Sequence, residues 1–216
     1  MLIEQPPILY RILFPEAVWR LKRHDCRAVY ITFDDGPVPE VTPQVLEILR
    51  QYNVKATFFM VGDNVRRHPE LLEAVRADGH AVGNHSMHHT QGLHCSWRHY
   101  IRDINDADTL IGSSLFRPPH GLMKRVQTRV VAERYNVIMY DVVTRDYSPK
   151  LTSAQVLRNV CRYTRNASII VFHDSIKAAP RMLEALPRAI EWLIENGYTP
   201  LPLHQTPPPR YDDHTN

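Results

Sequence analysis

Cysteine is scarce in this chain of 216 residues: Cys26, Cys95 and Cys161 are all it has. An odd, sparse set without a Cys-x-x-Cys pair excludes a disulfide framework and suits a reducing compartment. No apolar run reaches about eighteen residues, which excludes a membrane-spanning helix. The stretch from Met1 to Val18 contains Glu4, Pro6, Pro7, Arg11, Pro15 and Glu16. It lacks the basic start, apolar stretch and small-residue cleavage site of a secretion signal, so a cytoplasmic location is expected. There is no Lys/Arg-dense block, and the net charge is only +3. That excludes an obvious nucleic-acid footprint. The first strand candidate is not followed by Gly-x-Gly-x-x-Gly, which argues against dinucleotide binding. With no linker and no internal repeat, 44% hydrophobic and 23% charged residues read as one soluble domain with a sizeable core. Nothing in the sequence reports the oligomeric state.

What is present is a rhythm of short apolar runs, turns and amphipathic segments. Strands are expected at 28–33, 56–61, 80–84, 137–143 and 168–173, with a weaker one at Leu115-Phe116. Helices are expected at 42–52, 69–77, 96–111, 123–135, 153–163 and 181–195. Thr42-Pro43 reads as cap and first helical position, and Gly79 and Gly197 as stops. Strands alternating with such helices imply parallel β-α units, in a doubly wound sheet or a closed β/α barrel. In both, sites gather at the C-terminal ends of strands. Asp34, His85, Arg117, Asp146 and His173 all fall at or just past such an end. Residues 1–27 read as an extension packing on the domain of residues 28–204, and 205–216 as a flexible tail.

Asp34-Asp35 ends an apolar strand and runs into Gly36-Pro37, a forced turn. Two carboxylates there are costly without a compensating cation, hydrogen bonds or water. The chain also holds twelve histidines. His85 and His89, four apart, can grip one metal from one side of a turn; His88, three from His85, is an equal candidate by spacing. Two histidines with one aspartate leave positions open for water and substrate, as a catalytic metal requires. Arg117, always protonated, can hold a carboxylate ionised. His173 closes a buried strand at the same end, and Asp141 or Asp146 can orient and charge a histidine.

These segments resemble, in order, the five motifs of polysaccharide deacetylases of the NodB-homology type, carbohydrate esterase family 4. Thr32-Phe33-Asp34-Asp35-Gly36-Pro37 matches the first and His85-Ser86-Met87-His88-His89 the second. Arg117-Pro118-Pro119-His120-Gly121 matches the third with His120 in place of an aromatic residue. Asp146-Tyr147 is similar to the fourth, usually Asp-Trp, and Val171-Phe172-His173 to the fifth, usually Leu-x-His. The resemblance runs from residue 28 to about 196.

It implies a distorted (β/α) barrel and a metal-dependent hydrolase that removes N-acetyl groups from an N-acetylated glycan or oligosaccharide. By resemblance, Asp35, His85 and His89 hold one divalent ion, zinc before cobalt, nickel or iron, and His88 does not. Asp34 is then the general base, aligned by Arg117, and His173 the general acid, held as imidazolium by Asp146. The His120 backbone amide meets the oxyanion. Tyr147, His120 and Val171 line the substrate site, where Val171 in place of leucine trims a methylene from the acetyl pocket, worth ~1 kcal/mol of discrimination. A related hydrolase of another amide or of O-acetyl esters is the runner-up, and a non-catalytic carbohydrate-binding protein ranks below it.

Overall fold

Residues 4–21 and 27–203 are described by the structure, a computed structural model. Cys26 and the tail from residue 205 lie outside them. The elements run α1 (Ile8–Leu13), β1 (Ala28–Asp34), α2 (Thr42–Gln51), β2 (Thr57–Met60), α3 (Gly62–Arg67), α4 (Pro69–Ala77) and β3 (Ala81–Asn84). There follow α5 (Trp97–Ile111), β4 (Leu115–Phe116), α6 (Arg125–Ala132), β5 (Asn136–Val137) and β6 (Val142–Val143), then α7 (Ser153–Tyr163), β7 (Ile169–His173), α8 (Ala179–Glu195) and β8 (Thr199–Pro200).

The strand order is β5-β4-β3-β2-β1-β7-β6, with β8 beside the start of β1, and the pairings are parallel. Every residue of β1 is buried, as a strand covered on both faces requires. Phe33 stacks between Phe58 of β2 and Phe172 of β7, with ring centroids 4.9 and 6.0 Å away.

Connectivity forces this sheet to curl. Laid flat at ~4.8 Å per strand, β5 and β6 would stand ~29 Å apart. Only residues 138–141 join them, and that much chain reaches at most ~17 Å. The sheet is therefore a curled half-barrel. Residues 4–21 run along its seam. Val18 pairs with Ile138 and Arg20 with Ser168, and the Val143 N–H donates to the Glu4 carbonyl at 2.8 Å.

The structure corrects three sequence expectations. Residues 137–143 are two short strands on opposite edges, not one. Val137, Ile138, Met139, Tyr140 and Val142 are all buried, and so is Asp141 among them, so burial along the run carried no mark of the crossing. Thr42 is the first residue of α2 and not its cap; its hydroxyl accepts the Val38 N–H and donates to Asp174. The helix expected at 123–135 is shorter, 125–132. The short elements α1, α3 and β8 were not foreseen.

Candidate metal and catalytic site

Parallel register brings the polar residues together at one end of the barrel. Asp34 closes β1 opposite His173 of β7 and Phe59 of β2. Asn84 of β3 stands opposite Phe116 of β4, so His85 and Arg117, one residue on, are neighbours. Val143 pairs with Val171 and leads to Asp146. The loops beyond these ends are tightly turned. Of the seven non-glycine residues with positive φ among those described, Asp35, Ser86, His89, His120 and Arg145 lie here. Such backbone persists only where its surroundings hold it. Asn84 supplies part of the hold: its side chain accepts the Ser86 N–H at 2.8 Å and donates to the Ile104 carbonyl at 2.9 Å.

Asp35, His85 and His89 converge, with one donor atom from each inside a 4.8 Å cluster. Asp35 Oδ1 is 3.7 Å from His85 Nε2 and 3.2 Å from His89 Nε2. Donors bonded at 2.0–2.1 Å to a tetrahedral ion lie ~3.3 Å apart, so the set fits one. The protonation states agree. His85 Nδ1 donates to the Arg117 carbonyl at 2.8 Å, which leaves Nε2 as a bare lone pair. Burial lowers the His85 pKa to about 4, so the ring is neutral. Burial alone would raise the Asp35 pKa, but the hydrogen bond from His89 and the nearby imidazoles reverse this and hold it below the ordinary carboxylate range.

His88 is exposed and turned away. Its Nδ1 donates to Asp103 of α5, a bond that raises its pKa, and the ring stands outside the cavity and the donor cluster of Asp35, His85 and His89. Asp103 sits on the buried stripe of α5 beside Tyr100, Ile104 and Ala107. An acid on an apolar face was the one sequence signal for it.

Arg117 is wholly buried at the base of the site. Its Nη1 donates to Asp34 Oδ1 at 2.6 Å and to the Thr32 hydroxyl at 2.7 Å. Its Nε and Nη2 meet the carbonyls of Ile138 and Met139, and its guanidinium lies 4.0 Å from the Phe59 ring centroid. His173 Nδ1 donates to Asp146 Oδ1 at 2.7 Å, and its backbone N–H to Oδ2 at 2.8 Å. Burial opposes the charge on His173, but Asp146, with Asp35 and Asp34 beyond it, outweighs that and raises its pKa to about 9. The other acid considered, Asp141, is spent elsewhere, on Arg11, Arg165 and Ser168.

Two further residues were not anticipated. The buried Asp174 accepts the Gly36 N–H at 3.0 Å and the Thr42 hydroxyl at 2.7 Å, and burial pushes its pKa up to about 8. A Cβ on Gly36 would come within 2.0 Å of its Oδ2, so only glycine fits the turn that follows Asp35. Lys177, exposed, reaches the mouth of the cavity near the Tyr147 ring.

Asp34, Asp35, His85, His89, His173 and Lys177 face a cavity of about 280 Å³, whose walls include His120, Tyr140, Val143, Tyr147 and Val171. That is at the small end for ligand pockets, room for one small group or sugar-sized unit. Tyr147 meets His173 edge-on at 4.9 Å and His120 meets His89 at 4.7 Å.

Residues 21–140 match the family model described as Polysaccharide deacetylase. A peptidoglycan-N-acetylglucosamine deacetylase of Bacillus cereus is 32% identical over 189 residues, covering 83% of this chain and 87% of that protein. A chitooligosaccharide deacetylase of Rhizobium leguminosarum bv. trifolii is 32% identical over 158 residues, covering 69% and 73%. The crystal structure of a peptidoglycan N-acetylglucosamine deacetylase in complex with 4-naphthalen-1-yl-N-oxidanyl-benzamide superposes with a TM-score of 0.84 at 25% identity, covering 92% of this chain and 95% of that one.

Proposed function

The chain belongs to the polysaccharide deacetylase family, hydrolases of carbon-nitrogen bonds other than peptide bonds, and from that premise we propose that it removes N-acetyl groups from an N-acetylated glycan or oligosaccharide. Asp35, His85 and His89 would hold one divalent ion, zinc first by their donor set. When bound, the ion supplies a Lewis acid that polarises the acetamide carbonyl and acidifies water.

The chain's own residues do the rest. Asp34 takes the proton of the attacking water, held in line by Arg117 at 2.6 Å. The backbone N–H of His120 donates to the oxygen on which negative charge develops, a role indifferent to its side chain. His173 gives its proton to the departing amine, and Asp146 keeps that proton on the ring until then. The observation that carries the reading is one shared cavity with three metal-type donors at its floor, a carboxylate backed by a buried arginine and an imidazolium backed by a buried aspartate. The activities of the relatives favour an N-acetylglucosamine unit, and Tyr147, His120 and Val171 would form the walls around it.

The test is acetate release from chitooligosaccharides by chelated protein, before and after zinc or cobalt is restored. No release without metal and release with it is the expected result. Release from acetylated xylan but not from the N-acetyl oligomers would replace the N-deacetylase reading with an O-acetyl esterase.

A pH dependence follows from His173. Its pKa in the folded protein, about 9, lies above the ordinary 6.5, so the proton it must donate is in place at neutral pH. Stability gained from that proton is complete below about pH 6.5 and lost as pH rises through about 9. Asp146→Asn is expected to move the alkaline limb of kcat/KM at least one pH unit down. An unmoved limb would mean that another group is the acid.

A further inference from the structure

We propose that residues 4–21 form a positioning strap for both catalytic loops, with Tyr10 setting the loop that carries the His120 amide. The inference rests on the deacetylase reading but concerns residues almost entirely ahead of the 21–140 family match. A helix as short as α1 is unstable alone, so what it touches decides where it sits. Ile8, Leu9 and Ile12 are left in solvent, whereas Tyr10 turns inward. The Tyr10 hydroxyl donates to the Gly121 carbonyl at 2.6 Å. Its ring is braced edge-on by Phe14 at 5.0 Å and Trp19 at 5.4 Å. Trp19 in turn abuts Tyr140, whose hydroxyl fills the space where a Cβ of Gly121 would stand.

The loop so gripped needs an external hold. His120 and Gly121 both have positive φ, at 59° and 66°. A non-glycine residue in that region stays there only if its surroundings over-determine it. The strap also reaches the opposite wall. The Glu4 carbonyl accepts the Val143 N–H at 2.8 Å, and the Glu4 carboxylate pairs with Arg145 at 2.5 Å. Arg145, with φ 61°, precedes Asp146, the partner of His173. One segment thus ties the oxyanion amide and the general acid to a common frame. Small displacements of either group are costly to rate and nearly neutral to substrate binding.

The test uses Tyr10→Phe, which keeps the ring and removes the hydroxyl, in the metal-loaded full chain. Expected are a fall in kcat of about tenfold, with KM, metal content and melting temperature near wild type. Affinity for a tetrahedral methylphosphonamidate analogue of an N-acetyl sugar should fall by the same factor as kcat/KM. Amide hydrogen exchange at His120, Gly121 and Leu122 should speed up, a readout that does not depend on the substrate chosen. Glu4→Gln should lower kcat a few-fold at constant KM. Wild-type kcat with unchanged exchange in Tyr10→Phe would overturn the strap, as would a loss of rate matched by loss of metal or of melting temperature. Failure of the wild type to release acetate, with exchange still faster in Tyr10→Phe, would instead overturn the deacetylase reading and leave the mechanical link standing.

Discussion

Asp34→Asn is expected to lower kcat by about three orders of magnitude while leaving the metal content of the protein near that of wild type. Loss of a positioned general base costs roughly 10² to 10⁴ in rate. The amide has the same shape as the carboxylate but cannot take the proton of water at neutral pH. The fold should tolerate the change, because Arg117 keeps the Thr32 hydroxyl and the carbonyls of Ile138 and Met139. The proposed metal donors are the neighbouring Asp35, with His85 and His89. Acetate release and metal content by mass spectrometry, on the same preparation, check both halves. A variant that loses its metal would mean that the two adjacent aspartates have been given each other's roles.

Arg117→Met should be the most damaging single change to the fold within the site, with a stability loss of ~3–5 kcal/mol and a hundredfold or greater fall in kcat/KM. The guanidinium is wholly buried and its partners, Asp34, Thr32, Ile138 and Met139, are interior groups. Methionine fills similar space but strands the Asp34 carboxylate without a cation and two carbonyls without donors. Adding Asp34→Leu to Arg117→Met should recover part of the stability and none of the activity, because the stranded charge is then gone. Urea unfolding of the two single variants and the double variant closes the cycle. A double variant less stable than Arg117→Met would show that the pair is not the source of the loss.

Both predictions start from residues that could be named without coordinates, for a physical reason. Side-chain chemistry and short-range spacing are local properties. Asp34-Asp35 at a strand end, His85 and His89 four apart, and His173 closing an apolar strand are all visible in one dimension. Parallel β-α alternation then implies that strand ends share a face. The structure shows how closely: Asp34 and His173 are register partners.

Other features depend on backbone turns and distant chain and were not legible from residue type and spacing, without the family resemblance. His88 and His89 are equivalent by spacing; positive φ at Ser86 and His89 and the grip of Asp103 decide which imidazole faces Asp35. Asp141 and Asp146 are equivalent acids by sequence, separated only because Arg11 and Arg165 claim the first. Asp174, one residue beyond His173, became meaningful only when its carboxylate was found against Gly36.

By itself, the sequence determined the chemical groups, their order, the strand ends that carry them and the family to which they point. Tertiary structure alone decided the split of residues 137–143 across a curled sheet, the burial of Arg117 beneath Asp34, and the contact of Tyr10 with Gly121. The reason is range. Residue type and periodicity act over a few positions, whereas the seam of the barrel and the strap along it are made by residues more than a hundred positions apart, and only the closed fold brings them within hydrogen-bonding distance.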